Sequence, residues 1–196
     1  MNYNKNKKMK TRILTLVAVF VFATVTTVFA QAKRIDAQAS SVKWTGYKVT
    51  GQHEGTIDFK GGALEFKDGK LIGGTFTINM ATINTTDLSG EYKGKLDGHL
   101  KSDDFFGVDK YPDAILNFRK VVETDDNIYR VAADLTIKGK KSPITFNMEV
   151  ERNSAEAKLK VDRTKYGIKY GSASFIDGLK DKAINDEFDL LVELKF

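Results

Sequence analysis

Most of this chain alternates apolar and polar side chains with a period of two, and that pattern commits it to strands with one apolar and one wet face. Val42, Trp44 and Gly46 alternate with Lys43, Thr45 and Tyr47, and Ile72, Gly74, Phe76, Ile78 and Met80 with Thr75, Thr77 and Asn79. The rhythm is cleanest further on: Val131, Ala133, Leu135 and Ile137; Ile144, Phe146, Met148 and Val150; Ala157, Leu159 and Val161; Phe188, Leu190, Val192, Leu194 and Phe196. Between the runs stand hairpin signals. Lys67-Asp68-Gly69-Lys70 carries an Asp-Gly pair that tolerates positive φ, and Thr124-Asp125-Asp126-Asn127 and Arg152-Asn153-Ser154 serve later pairs. The expected class is therefore all-β and antiparallel, with about eight strands. Each has an apolar face to hide, so they form either two packed sheets or one closed barrel. Periodicity alone leaves both open.

Two stretches break the rhythm. Between Leu88 and Phe106 the spacing of Leu96, Leu100 and Phe105 suits a short helix. From Tyr166 to Asn185 the chain is rich in glycine and aromatics, with Gly167, Tyr170, Gly171, Phe175 and Gly178. These are the places where a lid or a mouth would be built. Only two prolines occur and no repeat is found, so residues 31–196 are expected to form one domain.

Residues 1–30 read as a cleaved secretory signal, with a retained membrane anchor as the alternative, since the apolar run is slightly long for the one and slightly short for the other. Lys5, Lys7, Lys8, Lys10 and Arg12 come first, residues 13–29 carry no charge, and Val28-Phe29-Ala30 supplies small residues where a signal peptidase cuts. Five of the 31 basic residues and none of the 26 acidic ones lie in this segment, so the remainder balances to zero. A neutral domain gives no electrostatic reason to bind nucleic acid. The expected location is a periplasm or the medium, and the absence of cysteine leaves stability to the core alone.

Catalytic patterns are missing. His53-Glu54 begins a zincin-like sequence, but Ile57 stands where the second histidine would be. Two histidines without cysteine fall short of a transition-metal site, and Tyr170-Gly171-Ser172-Ala173-Ser174 lacks the second glycine of a nucleophile elbow. No catalytic residue, metal or cofactor is expected, and a hydrolase-type enzyme ranks last among the readings.

Several blocks, in order along the chain, resemble the YceI-like lipid- or polyisoprenoid-binding family. They are Ser41-Val42-Lys43-Trp44-Thr45-Gly46, Thr50-Gly51-Gln52-His53-Glu54-Gly55, residues 71–80, residues 96–106, Tyr111-Pro112, Leu135-Thr136-Ile137-Lys138-Gly139, residues 162–168 with Tyr170-Gly171-Ser172, and Asp181-Lys182-Ala183-Ile184. Asn79 departs from an aspartate common at its place in that family. The resemblance implies a lipocalin-like, eight-stranded antiparallel barrel with a helix near one end, holding a long apolar lipid: a polyisoprenoid, an isoprenoid quinone or a relative.

On that reading the apolar lining comes from Trp44, Phe76, Ile78, Met80, Leu100, Phe105, Phe106, Phe118, Leu135, Ile137, Phe146, Met148 and Phe175, while His53, His99, Arg163, Tyr166 and Tyr170 are placed to hydrogen-bond a head group. Burying hydrocarbon gains about 0.8 kcal/mol per CH₂, so a few prenyl units suffice without any catalytic group. The competing reading is a periplasmic protein-interaction or stress-response module whose barrel is filled by its own side chains and holds no ligand. A homodimer and transient contact with a membrane are compatible with either.

Overall fold

The computed structural model describes residues 30–196; the signal expected over residues 1–30 lies, but for Ala30, outside the described residues. Eight antiparallel strands close into a barrel: β2 (Ser41–Lys48), β3 (Gly51–Lys67), β4 (Lys70–Thr85), β5 (Asp113–Asp125), β6 (Ile128–Ile137), β7 (Lys140–Val150), β8 (Ser154–Asp162) and β9 (Ile184–Lys195). Each pairs with its neighbour in sequence, and β9 returns to pair with β2. The short β1 (Gln31–Arg34) lies on the edge of β3 beyond the end of β2, from Gln31 opposite Phe66 to Arg34 opposite Ala63. Closure decides between the two architectures left open by periodicity, and it removes the exposed strand edges that a neutral all-β domain would otherwise present.

Tight turns do what their residues allow. Lys67 pairs with Lys70 across Asp68 and Gly69, both at positive φ, and Ile137 pairs with Lys140 across Lys138 and Gly139, also both positive. Such two-residue loops twist in the same sense as the strands they join.

In the two longest strands the apolar phase changes partway. Ile57 and Phe59 of β3 point inward, and so do Leu64 and Phe66, one residue out of phase. The pairing of β3 with β4 slips between Phe59 and Gly61 and again between Glu65 and Phe66, and each bulge resets which face is inside. Leu71, not Ile72, is consequently buried at the start of β4, while Ile72 is exposed; the inward placement read for Ile72 from alternation is corrected by this shift. Close approach also matters at Gly55. A Cβ there would stand 2.0 Å from the Asn84 carbonyl oxygen and 2.5 Å from the Trp44 ring, so the bare backbone lets Trp44 lie flat across the strand and donate its indole N–H to the Thr56 carbonyl.

The helix α1 (Gly90–Lys101) follows β4 and caps one end of the barrel, with Leu100 turned inward and residues 102–108 continuing the cap through buried Phe105, Phe106 and Val108. Lys138, in the β6–β7 turn, pins this cap by donating to the carbonyls of Asp103 (2.7 Å) and Phe105 (2.8 Å). The glycine-rich segment between β8 and β9 crosses the same end. It begins with a 3-10 turn, Arg163–Tyr166, that fills a gap in the wall: β7 and β8 pair only where Met148, Glu149 and Val150 face Ala157, Glu156 and Ala155. Buried Tyr166 and Ile168 plug the place where those strands part. Burial pushes the Tyr166 hydroxyl up to about 12, so it stays a neutral partner for Ser142 of β7.

Candidate functional site

Inside the barrel two apolar cavities lie in line along its axis. The outer one, under α1, has a volume of about 140 Å³ and is walled by Trp44, Ile57, Met80, Phe105, Phe106 and Ile137, among others. The inner one, of about 70 Å³, is walled by Phe59, Phe76, Leu116, Phe146, Met148 and Val192, among others. Val42, Ile78, Leu135 and Leu190 border both, forming an aliphatic collar between them. A cavity of about 150 Å³ in another protein stays dry and accepts benzene, so the outer lobe at rest has room for roughly one prenyl unit. A longer chain must pass the collar and displace flexible side chains, for which Met80 and Met148 are well suited.

The outer cavity reaches the surface at a seam. Pairing of β2 with β9 jumps from Gly46 opposite Phe188 to Lys48 opposite Ile184, so Asn185, Asp186 and Glu187 bulge where Tyr47 faces them alone. Gly46, Tyr47, Ile184, Asn185 and Glu187 all line the cavity, and Asn185 and Glu187 are also exposed. Residues that are both lining and exposed define a mouth.

Arg163 bolts the end wall. Its side chain is 2% exposed, and its guanidinium donates to the carbonyls of Asn185 (Nε, 2.9 Å), Ile168 (Nη1, 2.9 Å) and Ile184 (Nη2, 3.0 Å), with Asp186 at 3.7 Å. Burial holds its pKa below the ordinary value, while Asp186 and Asp162 pull the other way; an arginine remains charged regardless.

The structure gathers most of the lining residues read from the sequence. Trp44, Ile78, Met80, Leu100, Phe105, Phe106, Leu135 and Ile137 border the outer cavity; Phe76, Phe146 and Met148, with Ile78 and Leu135, border the inner one. Phe118 borders neither and instead packs its ring between Phe76 (5.8 Å) and Phe146 (5.9 Å). Phe175 is a correction: it is half exposed, because hydrogen bonds from the Phe175 and Ile176 amides to the Ser172 carbonyl fold this segment into a tight turn that aims the ring outward. Alternation could not foresee this, since no strand passes there.

The five head-group candidates do not converge. His53 stays on the rim, its Nδ1 2.8 Å from Asp87, and Tyr166 is buried in the wall. Tyr170 is exposed and lies against the His99 ring (4.3 Å), which also meets Phe105 behind the cavity wall. Arg163 alone lines the cavity, with its donors turned to backbone carbonyls. Leu190, Val42 and the seam residues were missed as site residues. The first two read as ordinary strand residues, and nothing local in residues 184–187 announces a bulge.

The cap is tied to the barrel by Asp97, which accepts from the Thr85 amide (2.8 Å) and from Lys93. Burial raises the Asp97 carboxyl, but the bonds from Lys93 and Thr85 outweigh it and hold the group below the usual carboxylate range. A depressed native value means stability that is complete above the unfolded value of about 3.9 and lost as pH falls through the native one. Helix α1 is therefore expected to detach below about pH 4, with amide exchange at its anchor residue Thr85 accelerating ahead of the barrel strands; Asp97→Asn should flatten that dependence. Equal acid sensitivity in the variant would assign the transition to other carboxylates.

Among the described residues no group of three His, Cys, Asp or Glu side chains is arranged to hold a metal, and no helix is long and apolar enough to cross a membrane. Fold and interior together define a closed antiparallel barrel of the lipocalin-like class, with an apolar cavity opening at one end. The chain belongs to the YceI-like family: residues 34–196 match the YceI-like domain. It is 31% identical over 120 residues to a UPF0312 protein of Staphylococcus aureus (strain bovine RF122 / ET3-1), a match covering 56% of this chain and 64% of that one, slightly under two thirds of the relative's length. Among solved structures it is similar to BcnA of Burkholderia cenocepacia, with TM-score 0.67, 21% identity and coverage of 82% of this chain and 98% of that one. It is also similar to a polyisoprenoid binding domain from Saccharophagus degradans implicated in plant cell wall breakdown, with TM-score 0.53, 14% identity and coverage of 83% and 97%. At these identities the structural likeness is one of fold.

Proposed function

We propose that this protein is an exported binding protein for one apolar chain of isoprenoid type, held along the barrel axis with its leading end past the collar. The observation that carries this reading is the pair of apolar cavities in line, sharing a collar of four aliphatic side chains and opening at the β2/β9 seam. Membership of the YceI-like family and the likeness to a polyisoprenoid binding domain support the same ligand class. Each five-carbon unit buried contributes on the order of 4 kcal/mol gross, enough to offset both association entropy and the displacement of interior side chains after two or three units.

Organic extraction of the purified protein followed by mass spectrometry is expected to release one prenyl lipid per chain. An empty extract that stays empty after incubation with isoprenoid quinones and polyprenols would defeat the reading and favour the partner-binding module.

Export rests on the charged head, apolar middle and small-residue exit of residues 1–30. Protein recovered from its native cells is expected to begin at Gln31; an intact Met1 in the recovered protein would overturn export by cleavage.

A further inference from the structure

Eight large apolar side chains of the described residues are exposed, and four of them, Val49, Tyr170, Phe175 and Ile176, lie on or beside the segment between β8 and β9 that borders the mouth. Their arrangement is continuous with the seam. The amide of Val49 donates to the Ala183 carbonyl, and the amide of Ile184, a lining residue of the outer cavity, donates to the Gly171 carbonyl. The turn at Ser172 projects Phe175 and Ile176 side by side at 51% and 43% exposure. A domain that closes its eight long strands into a barrel and buries some thirty apolar side chains has no packing reason to leave a phenylalanine and an isoleucine adjacent at a loop tip.

The charges around this tip are unequal. Lys48, Lys169, Lys180 and Lys182 are exposed without a carboxylate within 4.0 Å among the described residues, against the exposed Asp177 and Asp181; the other carboxylates here face a cation of their own, Glu187 at 3.9 Å from Lys160, Asp186 at 3.7 Å from Arg163 and Asp162 at 4.0 Å from Lys165. Lys169 holds its ammonium 4.2 Å from the Phe175 ring centre, so the tip presents apolar surface and positive charge together. That pairing is the one an anionic bilayer recognises: apolar side chains enter the boundary of the acyl region while lysines stay among the head groups.

We propose that residues 169–182, with Val49 beside them, dock this end of the barrel on an anionic lipid bilayer, Phe175 and Ile176 entering the interface and the β2/β9 seam facing the lipid. The occupant is the bilayer surface itself. An apolar chain then leaves or enters the membrane next to the mouth of the cavity without crossing water, which goes beyond the binding of a lipid in solution.

The test is flotation of the protein with vesicles of phosphatidylglycerol mixed equally with phosphatidylcholine, and with vesicles of phosphatidylcholine alone. The protein is expected to float with the anionic vesicles, to be released by high salt, and to bind neutral vesicles poorly. Phe175→Ser combined with Ile176→Ser should lower partitioning about tenfold or more at unchanged melting temperature, since both side chains are solvent-facing. Lys169→Glu combined with Lys180→Glu should do the same through charge. Absence of flotation by the unmodified protein, or equal flotation by the serine variant, overturns the proposal. So does sedimentation showing that the patch joins two copies, with the serine substitutions dissolving that dimer and leaving vesicle binding unchanged. Uptake of a short-chain isoprenoid quinone in solution, followed by quenching of Trp44, is read in parallel, so that loss of docking is distinguished from loss of the ligand.

Discussion

Arg163→Met is expected to lower the stability of the protein by about 3–5 kcal/mol, because three backbone carbonyls inside the end wall lose their only cationic donor and water cannot take its place. Methionine keeps most of the apolar stem, so the loss isolates the guanidinium. The carbonyls of Ile168, Ile184 and Asn185 lie on both sides of the segment that crosses the barrel end, and one planar fork reaches all three. A lysine in its place offers a point charge that can satisfy only part of this set, so Arg163→Lys is expected to fall between the two. For a domain of this size the methionine variant should melt roughly 10 °C lower by circular dichroism. Lys169→Met, at an exposed position of the same segment, should stay within about 0.5 kcal/mol of the parent. A methionine variant melting within about 2 °C of the parent would mean that the three carbonyls find other partners and that Arg163 is no bolt.

Arg163 also marks where sequence reading stops. Its choice as a head-group ligand follows from charge near a glycine-rich segment, and the structure does put it beside the cavity. What its N–H groups do depends on carbonyls up to 22 residues away in sequence, which no local pattern announces. The strands were legible because one buried face against one wet face is a local property: every inward residue named on β6, β7 and β8 follows strict alternation, and those strands carry no bulge in their mutual pairing. Residues of β3 were harder to read because the slip at Phe59 and Gly61 reverses the phase within one strand, so neither half alone looks long. The helix was legible from the spacing of Leu96 and Leu100. The mouth was not, since a seam is a failure of pairing between β2 and β9, two strands whose ends lie more than 130 residues apart.

Leu190→Phe is expected to separate short ligands from long ones. Leu190 borders both cavities and faces Trp44 on β2 and Leu159 on β8 across the ladder, so a larger ring at this position has the collar as the space it can enter. Filling existing void adds contacts while crowding the other three collar residues adds strain, and such overpacking typically costs about 1–3 kcal/mol, which leaves the fold intact. For a ligand one prenyl unit long, accommodated in the outer lobe, affinity should change little. For a ligand several units long, every carbon that had passed the collar loses its burial. Five such carbons are worth on the order of 4 kcal/mol, so affinity should fall by roughly a thousandfold. The single tryptophan, Trp44, borders the outer lobe and reports both events by quenching with quinones of graded chain length. Leu135→Ala acts in the opposite sense: it widens the same collar at a stability cost of about 2–5 kcal/mol and should preserve or tighten long-chain binding. A Leu190→Phe variant that binds all chain lengths with unchanged affinity would show that the chain does not thread the collar, and would place the ligand wholly in the outer lobe or outside the barrel.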